Sequence, residues 1–192
     1  MSQEDRSRWD EKYSVKEISE TLEPNQWLVE MTADLHPGRA WEPACGMGHN
    51  SVWLAGQGWS VDAVDISPVG LKHAKQLAER HSLSVNWIAG DLDEFSPMES
   101  QYDLVIVFRF LDRLRLPGII ESALKPGGIL LYETFSAAQF DRPNNHLRKR
   151  IFALEKDELP RLFRELKEYH YSERELPDRT VARFAGQKSA LD

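Results

Sequence analysis

The opening of the chain places apolar residues at helical spacing. Pro24 suits the first turn of a helix, and the pattern around it follows the helical repeat of about 3.6 residues through Leu35. This pattern predicts a helical segment over residues 1–36. The apolar residues on its shared face are Trp27, Leu28, Met31 and Leu35.

Apolar runs of strand length then alternate with helix signals. The run Leu104–Phe108 is almost continuously apolar, which is typical of a strand buried on both faces. Ser67 can cap the helix after the second strand, and Pro68 suits the first position of that helix. Strand–helix alternation predicts right-handed crossovers and a parallel sheet with helices on both faces. The predicted strands are residues 39–42, 59–65, 85–89, 104–108 and 129–134, with glycine-containing turns at 44–48 and 125–128.

The last part of the chain departs from this alternation. A predicted helix over residues 157–166 precedes two strand-like segments, 168–173 and 180–185, which a short loop with Pro177 and Asp178 joins. Strands this close in sequence predict an antiparallel pair at one edge of the sheet. The predicted fold is therefore α/β and Rossmann-like. It is one doubly wound domain over residues 1–192, with a mostly parallel seven-stranded sheet and an antiparallel edge strand.

Composition and charge exclude several classes of function. The 192 residues carry 24 Lys and Arg against 31 Asp and Glu, a net charge of −7. Such a chain lacks the broad positive field that nucleic acids or anionic membranes reward, so we expect neither as a partner. Cys45 is the one cysteine, which rules out an internal disulfide, and the histidines have no metal-ligand spacing. With a polar N-terminus and no apolar run of about 20 residues, the expected location is the cytoplasm.

Candidate binding chemistry gathers at the ends of the first three strands. Small residues at Ala44, Gly46 and Gly48 let the backbone turn sharply next to a ligand. Asp65 ends the second strand 19 residues after Gly46, the separation at which a carboxylate reaches ribose hydroxyls. Asp91 ends the third strand, where it can accept a hydrogen bond from an adenine amino group. We expect a nucleoside site beyond these strand ends.

Glu42, directly before the turn, discriminates between nucleoside ligands. A dinucleotide presents a pyrophosphate, which a nearby carboxylate repels, whereas S-adenosylmethionine (SAM) presents a sulfonium and an ammonium group. SAM is therefore the favoured cofactor. Two alternatives stay open: a noncatalytic SAM-binding module and, less favoured, an NAD-dependent oxidoreductase.

The chain resembles the class I SAM-dependent methyltransferases over about residues 27–186. Within that class it is similar to small bacterial enzymes of the tellurite-resistance type and to thiopurine methyltransferases. The resemblance implies a SAM-dependent methyltransferase with S-adenosylhomocysteine as product. The motifs that carry it are Glu42-Pro43-Ala44-Cys45-Gly46-Met47-Gly48, Val64-Asp65-Ile66-Ser67, Gly90-Asp91-Leu92, Tyr102-Asp103-Leu104-Val105 and Leu124-Lys125-Pro126-Gly127-Gly128.

The resemblance also implies roles for individual residues. Glu42 would hold the methionine ammonium group, Asp65 the ribose, and Asp91 the adenine together with the backbone of Leu92. Ile66 would pack on the adenine ring. Ala44 stands where the family more often has glycine. The remaining expected cofactor contacts are Cys45, Gly46, Gly48, Asn50, Phe108 and Trp9, with Trp9 and Tyr13 as lid contacts of the N-terminal segment.

The methyl acceptor is less defined. The segment Phe108–Arg113 lacks the signatures of adenine, glutamine and cytosine methyltransferases. The positive charge of Arg109 and the resemblance to tellurite-resistance and thiopurine enzymes imply a small anionic or chalcogen-containing acceptor. Arg109, Phe108 and Tyr13 are the substrate-side candidates. Arg109 either attracts an anionic acceptor or forms an ion pair with Asp112. A second candidate region is the loop over residues 136–155, whose basic residues are His146, Arg148, Lys149 and Arg150.

Overall fold

Three parallel strands organise the first part of the chain: β1 (Arg39–Pro43), β2 (Ser60–Asp65) and β3 (Asn86–Ala89). The computed structural model describes residues 3–17, 20–143, 145 and 147–190. It divides into two compact units, Met1–Ser96 and Pro97–Asp192, and these strands belong to the first. β2 lies in the middle and pairs with β1 and β3, so the carboxyl ends of all three strands point the same way.

The described residues of the first unit also form four helices. α4 (Pro68–Arg80) begins as predicted, because the Ser67 hydroxyl accepts a hydrogen bond from the Gly70 N–H at 3.1 Å. Its apolar face packs toward β2, β3 and α3 (His49–Gly56). The predicted helical opening is divided into α1 (Gln3–Ser14) and α2 (Gln26–Thr32). Pro24 lies before α2 and not in its first turn, because Asn25 is the N-cap residue. The Asn25 side chain accepts a hydrogen bond from the Trp27 N–H at 2.9 Å.

The described residues of the second unit form four strands, two α-helices and two short 3-10 helices, Ala137–Asp141 and Arg150–Phe152. Parallel β4 and β5 are followed by β7, which runs antiparallel to β5 and to the outer strand β6. The antiparallel pair predicted from the sequence is therefore present, and the described residues form the seven strands expected. The elements are β4 (Tyr102–Phe108), α5 (Leu116–Ala123), β5 (Leu124–Phe135), α6 (Glu158–Leu162), β6 (Lys167–Glu175) and β7 (Thr180–Gln187).

Two predicted elements of this unit differ from the structure. The predicted turn at 125–128 lies inside β5 as an irregularity, because Tyr102 pairs with Leu124 whereas Leu104 already pairs with Ile129. The predicted helix over 157–166 spans only Glu158–Leu162. Phe163 follows as the C-cap with non-helical backbone angles, and its buried ring lies 5.7 Å from that of Phe184.

Burial matches the hydrophobic pattern of β4. Leu104, Val105, Ile106 and Val107 are all fully buried, as the continuous apolar run predicted. Among the described residues, no helix is both long enough and apolar enough to cross a membrane.

Candidate functional site

The glycine turn follows β1 and adopts left-handed backbone geometry at three positions. φ is +55° at Ala44, +57° at Gly46 and +76° at Gly48. The Cys45 N–H donates to the Val64 carbonyl at 3.1 Å, which ties the turn to the end of β2. Left-handed φ is easy for glycine and strained for alanine, so two of the three positions carry the residue that their conformation favours.

Packing explains the two glycines independently of any ligand. A Cβ at Gly46 would lie 2.8 Å from the Tyr13 hydroxyl, and one at Gly48 would lie 2.6 Å from the Trp87 ring. Each contact is closer than real Cβ atoms tolerate. The small residues therefore serve close side-chain packing as well as backbone conformation.

Glu42, the last residue but one of β1, has a buried carboxyl group that accepts hydrogen bonds from two uncharged side chains. The Asn50 amide donates to its Oε1 at 2.9 Å, and the Ser51 hydroxyl donates to its Oε2. Asn50 is itself oriented by the Asn25 N–H, which donates to its Oδ1 at 2.8 Å. Burial raises the pKa of Glu42 to about 7, against the lowering effect of Ser51 and Asn50. A cation beside this group would favour its charged form.

Asp65 is a brace for the turn. Its Oδ2 accepts from the Gly46 N–H at 2.7 Å, and its Oδ1 accepts from the Ser67 N–H at 2.9 Å. Burial raises the pKa of Asp65, while these two backbone hydrogen bonds act in the opposite direction. A carboxylate has about four acceptor sites and the backbone N–H groups of Gly46, Ile66 and Ser67 use three, so a ribose contact is compatible with the bracing role.

The N-terminal helix α1 brings Tyr13 to the turn, with Trp9 packed against it. Burial raises the pKa of the Tyr13 phenol far above its usual value, with smaller contributions from the nearby Asp65, Cys45 and Glu42. Trp9 stacks on Tyr13, with ring centroids 5.5 Å apart. Both predicted lid residues therefore belong to one group, and its Tyr13 lies directly over Gly46.

Sequence reasoning missed Asp10 of the same helix. Its Oδ1 accepts from the Ser67 hydroxyl at 2.5 Å, and its charge raises the pKa of Asp65. No local signal could have identified it, because Asp10 lies in a polar, mostly exposed helix 57 residues before Ser67. Ser51 was missed for a similar reason, since one serine in a helix has no distinctive spacing.

The remaining candidates of the first unit lie at or near the strand ends. The Gly90 N–H donates to the Asp65 carbonyl at 3.1 Å, which places Asp91 just beyond the β2–β3 pairing. Asp91 accepts the Asp93 N–H at 2.8 Å. Three further candidates are buried: Cys45, Ile66 and Leu92. Burial raises the pKa of the Cys45 thiol, which keeps that thiol protonated.

The other candidates belong to the second unit. Phe108 is buried at the end of β4, and the exposed Arg109 follows it with φ +58°. The ion pair of Arg109 with Asp112 is not formed in the described part of the chain, since the Asp112 carboxylate instead accepts the N–H groups of Leu114 and Arg115.

The loop over residues 136–155 presents its basic side chains to solvent. Arg148, Lys149 and Arg150 are exposed, with Arg150 over the Phe140 ring, and His146 lies outside the described residues. A role for this loop in substrate binding stays a prediction. Within the described ranges, no group of His, Cys, Asp and Glu could hold a metal ion.

Comparison with known proteins places the glycine turn within a recognised domain. Residues 41–128 match a protein family described as a methyltransferase domain. The ribosomal RNA small subunit methyltransferase C of Alcanivorax borkumensis is 36% identical over 103 residues, which cover 49% of this chain and 31% of that protein. The chain spans less than half the length of the first curated relatives it matches.

Two solved structures extend the likeness to nearly the whole chain. Crystalline TehB from Haemophilus influenzae has a TM-score of 0.72 at 20% identity, covering 94% of this chain and 67% of TehB. The probable SAM-dependent methyltransferase TehB is also 25% identical over 114 residues, 58% of this chain and 40% of that protein. A second solved structure comes from work on the conversion of a disulfide bond into a thioacetal group during echinomycin biosynthesis. It has a TM-score of 0.76 at 18% identity, and the match covers 97% of this chain and 93% of that protein. These structures confirm the Rossmann-like α/β fold.

The strained turn gives a stability prediction. Ala44→Gly should raise the free energy of unfolding by up to about 1 kcal/mol, because relief of left-handed strain outweighs the added chain entropy. Urea unfolding of the full chain measures the change. Ala55→Gly, inside α3, is the matched control and should lower stability by about 1 kcal/mol. Equal losses in both variants would contradict the assignment of strain to Ala44.

The buried carboxyl group gives a pH prediction for the ligand-free protein. The pKa of Glu42 is about 7, above its ordinary value of 4.5, so the folded state binds the proton more tightly than the unfolded state. Its contribution to stability is full at low pH and falls as pH rises from 4.5 to 7, by on the order of 3 kcal/mol. Glu42→Gln should remove this loss.

Urea unfolding at pH 5 and pH 7.5 tests this expectation. The stability of Glu42→Gln relative to the unsubstituted protein should rise between the two pH values. A difference that does not change with pH would show that Glu42 is ionised in the folded state throughout the range.

Proposed function

We propose that this chain, whose residues 41–128 match a family described as a methyltransferase domain, is a class I enzyme that transfers a methyl group from SAM to a small molecule. The observation that carries the proposal is the buried carboxyl group of Glu42 at the start of a glycine turn. The relatives named as methyltransferases support the reaction class, and the acidic site of this chain supports the cofactor.

The residues of the first unit fit SAM in charge. The groups that shift the pKa of Glu42 are Ser51, Asn50 and Asp65, and none of them is positively charged. An ammonium group would convert a costly buried acid into an ion pair. A pyrophosphate would instead add negative charge beside Glu42 and Asp65. The charge of the site thus favours SAM over a dinucleotide.

The expected contacts divide between the polar and apolar parts of the cofactor. Glu42 would hold the methionine ammonium group, and the remaining acceptor site of the Asp65 carboxylate would accept a ribose hydroxyl. Asp91 and the backbone of Leu92 would hold the adenine, and Ile66 would pack on its ring. The Gly46 and Gly48 backbone, with Ala44, Cys45 and Asn50, would enclose the methionine part.

SAM supplies a methyl group that its sulfonium already activates for in-line displacement. The chain then contributes mainly alignment and exclusion of water, with the acceptor atom held about 3–3.5 Å from the methyl carbon. Tyr13 acts as a packing group or hydrogen-bond donor, since its raised pKa keeps the phenol protonated. A soft acceptor such as a thiolate needs no protein base.

A small-molecule acceptor suits the charge of this chain better than a nucleic acid does. The net charge of −7 opposes binding to a polyanion. The expected cytoplasmic location stays a prediction. Transfer of labelled methyl groups from SAM to thiols, selenite, tellurite and small carboxylic acids tests the proposal, and transfer to RNA alone would contradict it. SAM binding without any turnover would favour a noncatalytic module.

Substitution of the bracing aspartate tests the cofactor site. Asp65→Asn should weaken SAM binding at least tenfold, about 1.4 kcal/mol, because it removes the ribose acceptor and loosens the turn. Isothermal titration calorimetry with SAM and S-adenosylhomocysteine measures the change. Asp62→Asn is the matched control, since this buried aspartate of the same strand binds the Arg39 and Asn86 side chains. It should lower stability and leave SAM affinity unchanged.

Two calorimetric outcomes would contradict the proposal. An unchanged affinity in Asp65→Asn would show that the ribose site lies elsewhere. Failure of the unsubstituted protein to bind either SAM or S-adenosylhomocysteine at millimolar concentration would overturn SAM as the cofactor.

A further inference from the structure

Arginines gather around a buried glutamate in the second unit. Glu133 of β5 is fully buried, and its Oε2 accepts from the Arg183 Nε at 2.7 Å across the β5–β7 pairing. The Arg179 guanidinium lies 4.0 Å from Oε1 of the same carboxylate. With Arg109, these residues form what we call the arginine cluster: Arg109, Arg179, Arg183 and Glu133.

Arg109 joins the cluster through its backbone and its charge. Its N–H donates to the Glu133 carbonyl at 2.9 Å, which holds the residue at the left-handed φ of +58°. In the described part of the chain its guanidinium forms no hydrogen bond or ion pair. Partial burial and the nearby positive charge of Arg179 both lower the pKa of Arg109, although its side chain still reaches solvent.

The cluster has an excess of positive charge. Three guanidinium groups face two carboxylates, those of Glu133 and Asp178, and the Asp178 side chain is 68% exposed. Like charges as close as Arg109 and Arg179 repel each other, and a bound anion would remove that repulsion.

Two buried donors at the cluster lack acceptors. The Arg179 Nε has no hydrogen-bond partner, and neither has the Nε2 of the fully buried Gln139. The Gln139 Oε1 accepts from the Thr180 N–H at 2.8 Å, which fixes Nε2 as the remaining donor. Native structures rarely leave buried donors without an acceptor, so these two point to a ligand that supplies oxygen atoms.

The loop that carries Arg179 is held in place before any ligand binds. The Arg142 guanidinium donates to the carbonyls of Leu176 at 3.0 Å and Pro177 at 2.7 Å. Across the same loop, the Leu176 N–H donates to the Arg179 carbonyl at 2.7 Å. A preorganised loop does not need to be ordered by its ligand, which favours binding of a small molecule.

We propose that the arginine cluster, with Gln139, binds a carboxylate group of the methyl acceptor. The guanidinium plane of Arg109 is available for a two-point contact with a planar carboxylate. The substrate of the proposed enzyme is then a small carboxylic acid, recognised through its anionic end. The assignment of the anion as methyl acceptor rests on the proposed function, whereas anion binding by the cluster does not.

Binding of a simple probe pair tests the cluster. Benzoate and the uncharged benzamide are titrated into the full chain, followed by NMR at the backbone amides of Arg109 and Thr180. Benzoate should bind at least tenfold more tightly than benzamide, and Arg109→Gln should abolish most of that preference. Arg164→Gln is the matched control, because this exposed arginine pairs only with its neighbour Glu165 among the ion pairs of the described residues. It should leave benzoate binding unchanged.

The outcomes separate this inference from the proposed function. Equal binding of benzoate and benzamide, or equal effects of Arg109→Gln and Arg164→Gln, would overturn the carboxylate site. Tighter binding of sulfate, a dianion, than of benzoate would overturn the choice of a carboxylate. Binding of S-adenosylhomocysteine is measured in parallel. If the unsubstituted protein binds benzoate but not S-adenosylhomocysteine, the proposed methyltransferase function is refuted and the anion site is retained. Arg179→Gln, with a thermal unfolding scan to verify folding, should repeat the effect of Arg109→Gln.

Discussion

Two backbone N–H groups share the carboxylate of Asp65, and the glycine turn depends on that contact. One comes from Gly46 inside the turn and the other from Ser67 before α4. The carboxylate therefore joins two loops that follow adjacent parallel strands. Because the same carboxylate has an acceptor site left, the brace of the turn is also the residue expected to receive the ribose. Asp65 therefore has a structural role in the turn and an expected role in binding. Asp62, a buried aspartate of the same strand outside the turn, has a structural role only.

Charge is distributed unevenly within the chain, and each unit uses it differently. In the first unit, Glu42, Asp65 and Asp10 collect at one turn, where burial raises the pKa of the first two. In the second unit, guanidinium groups outnumber the carboxylates of Glu133 and Asp178. Both arrangements cost free energy without a ligand of opposite charge. A cationic cofactor and an anionic acceptor are the two ligands that would remove those costs.

The sequence predicted most of the fold because its signals are local. Strand–helix alternation, the Ser67 cap and the apolar run of β4 each depend on neighbouring residues, and all three were confirmed. The helix predicted over 157–166 is present but shorter, Glu158–Leu162, and no local pattern reveals that Phe163 directly after it packs on Phe184. The turn at 125–128 lies inside β5 as an irregularity, because Leu124 and Ile129 on either side of it both pair with β4.

The sequence by itself determined the strand-end positions of Glu42, Asp65 and Asp91, since parallel strands fix where such residues lie. The small residues also identified the turn after β1, although nothing in the sequence indicated that Tyr13 packs against Gly46. Only the tertiary structure decided that Asp10 joins this site and that Arg109, Arg179 and Gln139 belong to one region. These contacts join residues dozens of positions apart, and side-chain packing, which has no sequence period, selects them.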